Sequence, residues 1–94
     1  MSKRDEYVEK MKRQLDEWNE DFERLEARLS EAAEPVRSKL EPQLSKARES
    51  YSGARQKLRE VRAAGEESWE DLTDDAERVW KALKQSINYF KSQI

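Results

Sequence analysis

The sequence predicts an all-α fold, an antiparallel coiled-coil bundle of about three long helices, and three observations carry that prediction. Apolar residues recur at alternating spacings of three and four, as Val8, Met11, Leu15, Trp18, Phe22, Leu25 and Leu29 do in the first third of the 94 residues. Glycine and proline number only two each, and no run alternates β-branched with polar residues, so helices are favoured over strands. Net charge changes sign by thirds: 7 Lys/Arg against 11 Asp/Glu in residues 1–34 (−4), 8 against 3 in residues 35–64 (+5), and 4 against 7 in residues 65–94 (−3). Helices with these charges relieve their internal repulsion when the basic one lies between the two acidic ones. In the antiparallel arrangement both ends of the bundle come out close to neutral.

Composition bounds what such a bundle can be. With 43% charged residues and a mean hydropathy of −1.22, there is material for one small domain at most and for no thick core. Three Trp, three Tyr and two Phe at regular positions nevertheless argue against disorder. An ordered, narrow, single helical domain over residues 1–94 is expected.

A first helix is predicted over residues 3–33. Ser2 with Asp5 matches the helix-start pattern in which the hydroxyl accepts a backbone N–H three residues on. The stripe that follows has two apolar positions in seven, narrower than the face of a helix packed on a deep core. It suits one or two partner helices.

A second helix is predicted over residues 38–64. Val36, Leu40, Leu44 and Ala47 follow at spacings of 4, 4 and 3, which alone would carry one continuous helix through the region. Pro35 and Pro42 oppose this, since each costs about 3 kcal/mol in a helix interior, and a break is expected between Glu34 and Pro42. Ser38 with Glu41 offers a start inside that gap. Ala47, Tyr51, Ala54, Leu58 and Val61 then resume the heptad, but Ser50, Ser52 and Gly53 weaken it, so this segment depends on its neighbours.

A third helix is predicted over residues 68–93. Gly65 is expected to end the second helix in the left-handed conformation, and Ser68 with Asp71 to start the third. Residues 66–77 hold seven acids and no base while residues 78–94 hold four bases and no acid, the polarity that a helix dipole prefers. Trp69/Trp80, Leu72/Leu83 and Ala76/Ile87 are each eleven residues apart, and with Val79, Phe90 and Ile94 they make the widest and most aromatic stripe. Excess apolar surface is expected here. The interaction residues are taken to be Trp18, Trp69, Leu72, Trp80, Leu83, Ile87 and Phe90, covered by self-association, most simply in a homodimer that can exchange its terminal helix.

Other chemistries leave little trace. Without Cys or His, disulfides, thiol nucleophiles and imidazole acid/base catalysis have no residues to use, and a catalytic role or a cofactor is not expected. The carboxylate pairs Glu67/Asp71, Asp71/Asp75 and Glu70/Asp74 read as an acidic first helical turn before they read as a metal site. Lys39, Lys46, Arg48, Arg55, Lys57, Arg59 and Arg62 form a basic stripe, but in a chain of pI 5.3 they suit acidic flanking helices better than nucleic acid. The alternative to protein association is a lipid surface bound through the amphipathic residues 69–94. No apolar run reaches the ~18 residues of a membrane span, and a cytoplasmic protein is expected.

The opening KRDEYVEKMKRQLDEWN, with ESWEDL and VWKALKQS in the last third, resembles a family of small bacterial coiled-coil proteins, some of them described as stress-response proteins. The resemblance implies a helical, bacterial and stress-linked protein and brings no catalytic residues with it. Pro35 and Pro42 depart from the helical middle that it implies.

Overall fold

The computed structural model describes residues 2–93 and consists of three helices, α1 (Lys3–Glu31), α2 (Glu34–Ala63) and α3 (Trp69–Gln93). Each runs about 40 Å at 1.5 Å per residue, consistent with Cα extents of 51 × 19 × 17 Å. The near-equal short dimensions follow from packing in a triangle. All three pairs of helices touch, α2 and α3 most extensively, and α1 runs parallel to α3 while α2 runs antiparallel to both.

The expected apolar stripes form the core. Leu15, Trp18, Phe22, Leu25 and Leu29 from α1 meet Leu40, Leu44, Ala47, Tyr51, Ala54 and Leu58 from α2 and Trp80, Leu83, Ile87 and Phe90 from α3. Val8, Met11, Ala32 and Val79 pack against its edges. Among the described residues no polar or charged side chain is buried in it. Ile94, the last member of the α3 stripe, lies outside the described residues.

Aromatic pairs register the helices. Trp18 and Trp80 stack at a tilt with ring centroids 5.4 Å apart, and Tyr7 and Trp69 do the same at 5.8 Å. Both pairs join α1 to α3, and the separation along each helix is the same, 18 − 7 = 11 and 80 − 69 = 11. The eleven-residue period of α3 therefore meets a matching interval in α1 and holds two parallel helices in step. Phe22 meets Tyr51 edge-on at 5.6 Å and ties α1 to α2.

The basic helix packs against both acidic ones, as expected, and this contact adds that the two acidic helices also touch each other. With α1 and α3 in direct aromatic contact, α2 is one corner of a triangle and not the middle of a row. Charge contributes little at short range. Among the described residues, the ion pairs between helices are Arg48 with Glu26 at 2.8 Å and Lys91 with Asp21 at 3.0 Å. None joins α2 to α3, whose interface is the largest.

The helix breaks lie near the expected places, with three changes of detail. Ser2 caps α1 as predicted, its hydroxyl accepting the Asp5 N–H at 3.2 Å, but α1 stops at Glu31 and Ala32 and Ala33 form an extended two-residue link. Helix α2 then begins at Glu34, four residues before the expected start. Pro35 sits in its first turn, where the missing N–H has no helical partner to lose. Ser38 is no cap: its hydroxyl donates back to the Glu34 carboxylate at 2.7 Å, and Arg37 grips the same carboxylate. These two contacts hold the Glu34 carboxyl below its usual pKa, the Arg37 hydrogen bond being the stronger cause.

The second change concerns Pro42, which lies inside α2. Burial of Leu40 and Leu44 on either side holds the helix through it. The third concerns Gly65, whose φ is not positive, so the left-handed ending is absent. Instead Ala64 is extended, Ser68 and Trp69 N–H groups both bond the Gly65 carbonyl at 3.1 Å, and Arg4 donates to the Ala64 carbonyl at 2.7 Å. An ordinary turn pinned by an arginine from α1 replaces the glycine device.

The two prolines differ in consequence. Pro42→Ala is expected to stabilise the chain by about 2 kcal/mol in urea denaturation, because it restores a mid-helix N–H and removes a ring clash. Pro35→Ala is expected to change stability by less than about 1 kcal/mol, since the first turn has neither liability.

Candidate interaction surface

The seven residues read from the sequence as interaction positions lie on the inner faces of the bundle. Trp18, Trp80, Leu83, Ile87 and Phe90 are buried, while Trp69 and Leu72 are half-buried at the end where α3 begins. The broad α3 stripe is thus covered by α1 and α2 of the same chain. The large hydrophobic residues left exposed are Val36 at 40% and Tyr89 at 39%.

Two polar atoms pay for this packing. The Trp80 indole Nε1 and the Tyr7 hydroxyl are buried without a hydrogen-bond partner among the described residues. For Tyr7, burial first and the nearby Glu77 carboxylate second push the phenol pKa above its usual value. Tyr7 stood outside the heptad seam and was not singled out in the sequence. Its signal was its distance of eleven residues from Trp18, matching that of Trp69 from Trp80.

What lies outside the core is charge, and it is sorted. The basic stripe of α2 divides by environment. Arg48 lies over the Phe22 ring at 5.2 Å and hydrogen-bonds Glu26, and Lys57 pairs with Glu60 at 3.5 Å. Arg55, Arg59 and Arg62 instead join Lys12 of α1 around an open groove of about 340 Å³ between α1 and α2. Its walls include Val8, Leu15, Leu58 and the Tyr51 ring, 6.0 Å from the Arg55 guanidinium, and Asp16 is its one acid. Among the described residues, none of the four cations has an ion-pair partner within 4.0 Å. Lys12 could not be assigned to this site from sequence, since it belongs to the acidic helix.

The acidic counterpart is at the same end. Since α1 and α3 start where α2 finishes, residues 66–77 sit beside the groove's end of the bundle, in the turn before α3 and on its first turns. Glu66, Glu67, Glu70, Asp71 and Asp74 are all exposed and, among the described residues, have no ion-pair partner, whereas Asp75 pairs with Arg78 at 3.8 Å. The carboxylate pairs noted in the sequence do not converge: among the described residues no group of three or more His, Asp or Glu could hold a metal ion. A second open groove, between α2 and α3, is lined by Gln43, Lys46, Ala47, Ser50, Ser86 and Tyr89 among others and carries a single charge. Among the described residues, no helix is long and apolar enough to cross a membrane.

No protein-family model, curated protein or solved structure matches the chain.

Two substitutions separate core from edge. Trp80→Ala is expected to cost about 3–5 kcal/mol in urea denaturation, and the half-buried Trp69→Ala less than about 2 kcal/mol. Tyr7 has a pH signature. Its pKa is raised on folding, so its contribution is constant below the unfolded phenol value of about 10 and is lost as pH rises from there through the folded value. Tyr7→Phe is expected to flatten that alkaline loss in a series of melts above about pH 9 while leaving neutral-pH stability within about 1 kcal/mol.

Proposed function

We propose that this chain is a non-enzymatic protein–protein interaction protein that acts by self-association of preassembled coiled-coil bundles. One observation carries the reading. The bundle completes its own apolar core, yet it leaves exposed, at one end, a set of cations and a set of carboxylates that have no ion-pair partner among the described residues. Association of copies can supply those partners.

The physical basis differs from the one that the apolar stripe suggested. With Trp80, Leu83, Ile87 and Phe90 turned inward, association does not draw on a large hydrophobic face. Charge-mediated contacts between exposed groups are weak individually, under about 1 kcal/mol each, and act together. The expected complex is therefore reversible and sensitive to concentration.

The alternative, a lipid surface engaged through residues 69–94, requires the aromatic stripe to leave the core. The outward face of α3 offers Tyr89 as its one large exposed apolar side chain among the described residues, and its first turns are acidic. Neither feature suits an anionic membrane.

Sedimentation equilibrium over about a hundredfold range of concentration tests the reading, with helicity followed in parallel. An average mass that rises with concentration at constant helicity is expected. A monomer mass throughout rejects self-association. Co-sedimentation with anionic vesicles that is lost in Trp80→Ser/Phe90→Ser, with solution helicity retained, would favour the lipid alternative.

A further inference from the structure

The basic groove and the acidic start of α3 match each other in length as well as in sign. Arg55, Arg59 and Arg62 recur at intervals of four and three along α2, one ridge of a helix surface. Glu70, Asp71 and Asp74 are exposed on the first turns of α3, and Glu66 and Glu67 stand in the turn just before it. The groove spans residues 51–62 of α2 and residues 8–19 of α1, about three helical turns, enough to receive a segment the length of residues 66–77.

We infer that the α1/α2 groove of one copy receives the acidic start of α3 from a second copy, making a three-helix contact between bundles. This deepens the proposed self-association and rests on it. Within one chain the two surfaces cannot meet. The groove is lined by α1 and α2 alone, whereas the carboxylates stand on and just before the third helix of the triangle. Between copies, Lys12, Arg55, Arg59 and Arg62 gain carboxylates in place of water, and the partner's acids gain cations.

Each copy carries both a groove and an acidic segment at the same end, so two copies that exchange them reciprocally about a twofold axis make the closed dimer expected from the sequence. Where the exchange is not reciprocal, the same contact adds copies head to tail. It also gives partners to two surfaces that form no ion pairs among the described residues of their own chain.

Charge reversal tests this directly. All the residues changed are exposed and free of ion pairs among the described residues. Arg55→Glu/Arg59→Glu sets an acidic groove against an acidic α3, and Asp71→Lys/Asp74→Lys sets a basic groove against a basic α3. Each variant alone is expected to sediment as a monomer with unchanged helicity. An equimolar mixture is expected to associate again, because each groove then finds an α3 of opposite sign. The unmodified chain supplies a control independent of variant folding: its association should weaken at least about tenfold between roughly 0.05 M and 0.5 M salt, as the Debye length falls.

The outcomes are separable. If the unmodified chain associates but neither reversal nor salt alters its mass, this interface is wrong and self-association stands. If the unmodified chain is a monomer at every concentration in low salt, both fail. Restoration in the mixture but in neither variant alone supports the groove and its occupant.

Discussion

The contact on which this structure turns is Trp18 against Trp80. Two indoles at 5.4 Å bring α1 and α3 together at the middle of the bundle and close three helices into a triangle. Without that contact, the two-in-seven stripe of α1 would serve one neighbour and the helices could lie in a row. With it, each stripe faces two neighbours, and even the weakly apolar α2 buries Leu40, Leu44, Ala47, Tyr51, Ala54, Leu58 and Val61. The small side chains of Ala47 and Ala54 are an asset here, because α2 can then come close to its partners while the bulk is supplied by Phe22, Trp80 and Phe90. Helices too poor in apolar residues to persist alone thus stabilise one another.

Closing the core in this way decides what the surface can be. Nearly every large apolar group is used inside, so the outside is left to the charged residues that make up 43% of the chain. Their distribution is uneven. Some are matched locally, as Arg24 is with Glu20 and Asp21, and Lys91 reaches Asp21, only 14% exposed, across the α1/α3 seam. Others gather by sign on different faces of one end. Their segregation is the feature from which the proposed association between copies is drawn.

The connections illustrate how local chemistry is read through its surroundings. The chain turns back twice, the first time at Ala32 and Ala33, just before the interval from Glu34 to Pro42 where a break was expected, and Ser2 caps α1 as its sequence pattern suggests. At Ser38 the same kind of pattern had another use, because Glu34 lies one turn earlier and accepts the hydroxyl that would otherwise have capped. At Pro42 the helix continues, since ending it would have exposed Leu40 and Leu44, whose burial offsets the lost hydrogen bond. At Gly65 the turn needs no positive φ, because Arg4 satisfies the Ala64 carbonyl from another helix. A contact 60 residues away in the chain cannot be inferred from a tetrapeptide pattern.

The sequence by itself determined the helices, their number, and which residues turn inward, because 3.6-residue periodicity, scarce glycine and proline, and the charge polarity of each segment are all local properties of the chain. It also determined that oppositely charged segments exist. Only the tertiary structure decided which surfaces they form, since that depends on how three helices meet. The aromatic step between α1 and α3 sent the α3 stripe into the core, so residues that read as a docking face became packing, and it left Lys12 of an acidic helix among the arginines of a basic one. Periodicity tells which side of a helix is apolar, but the neighbour that covers that side is chosen by shape and register between segments distant in sequence.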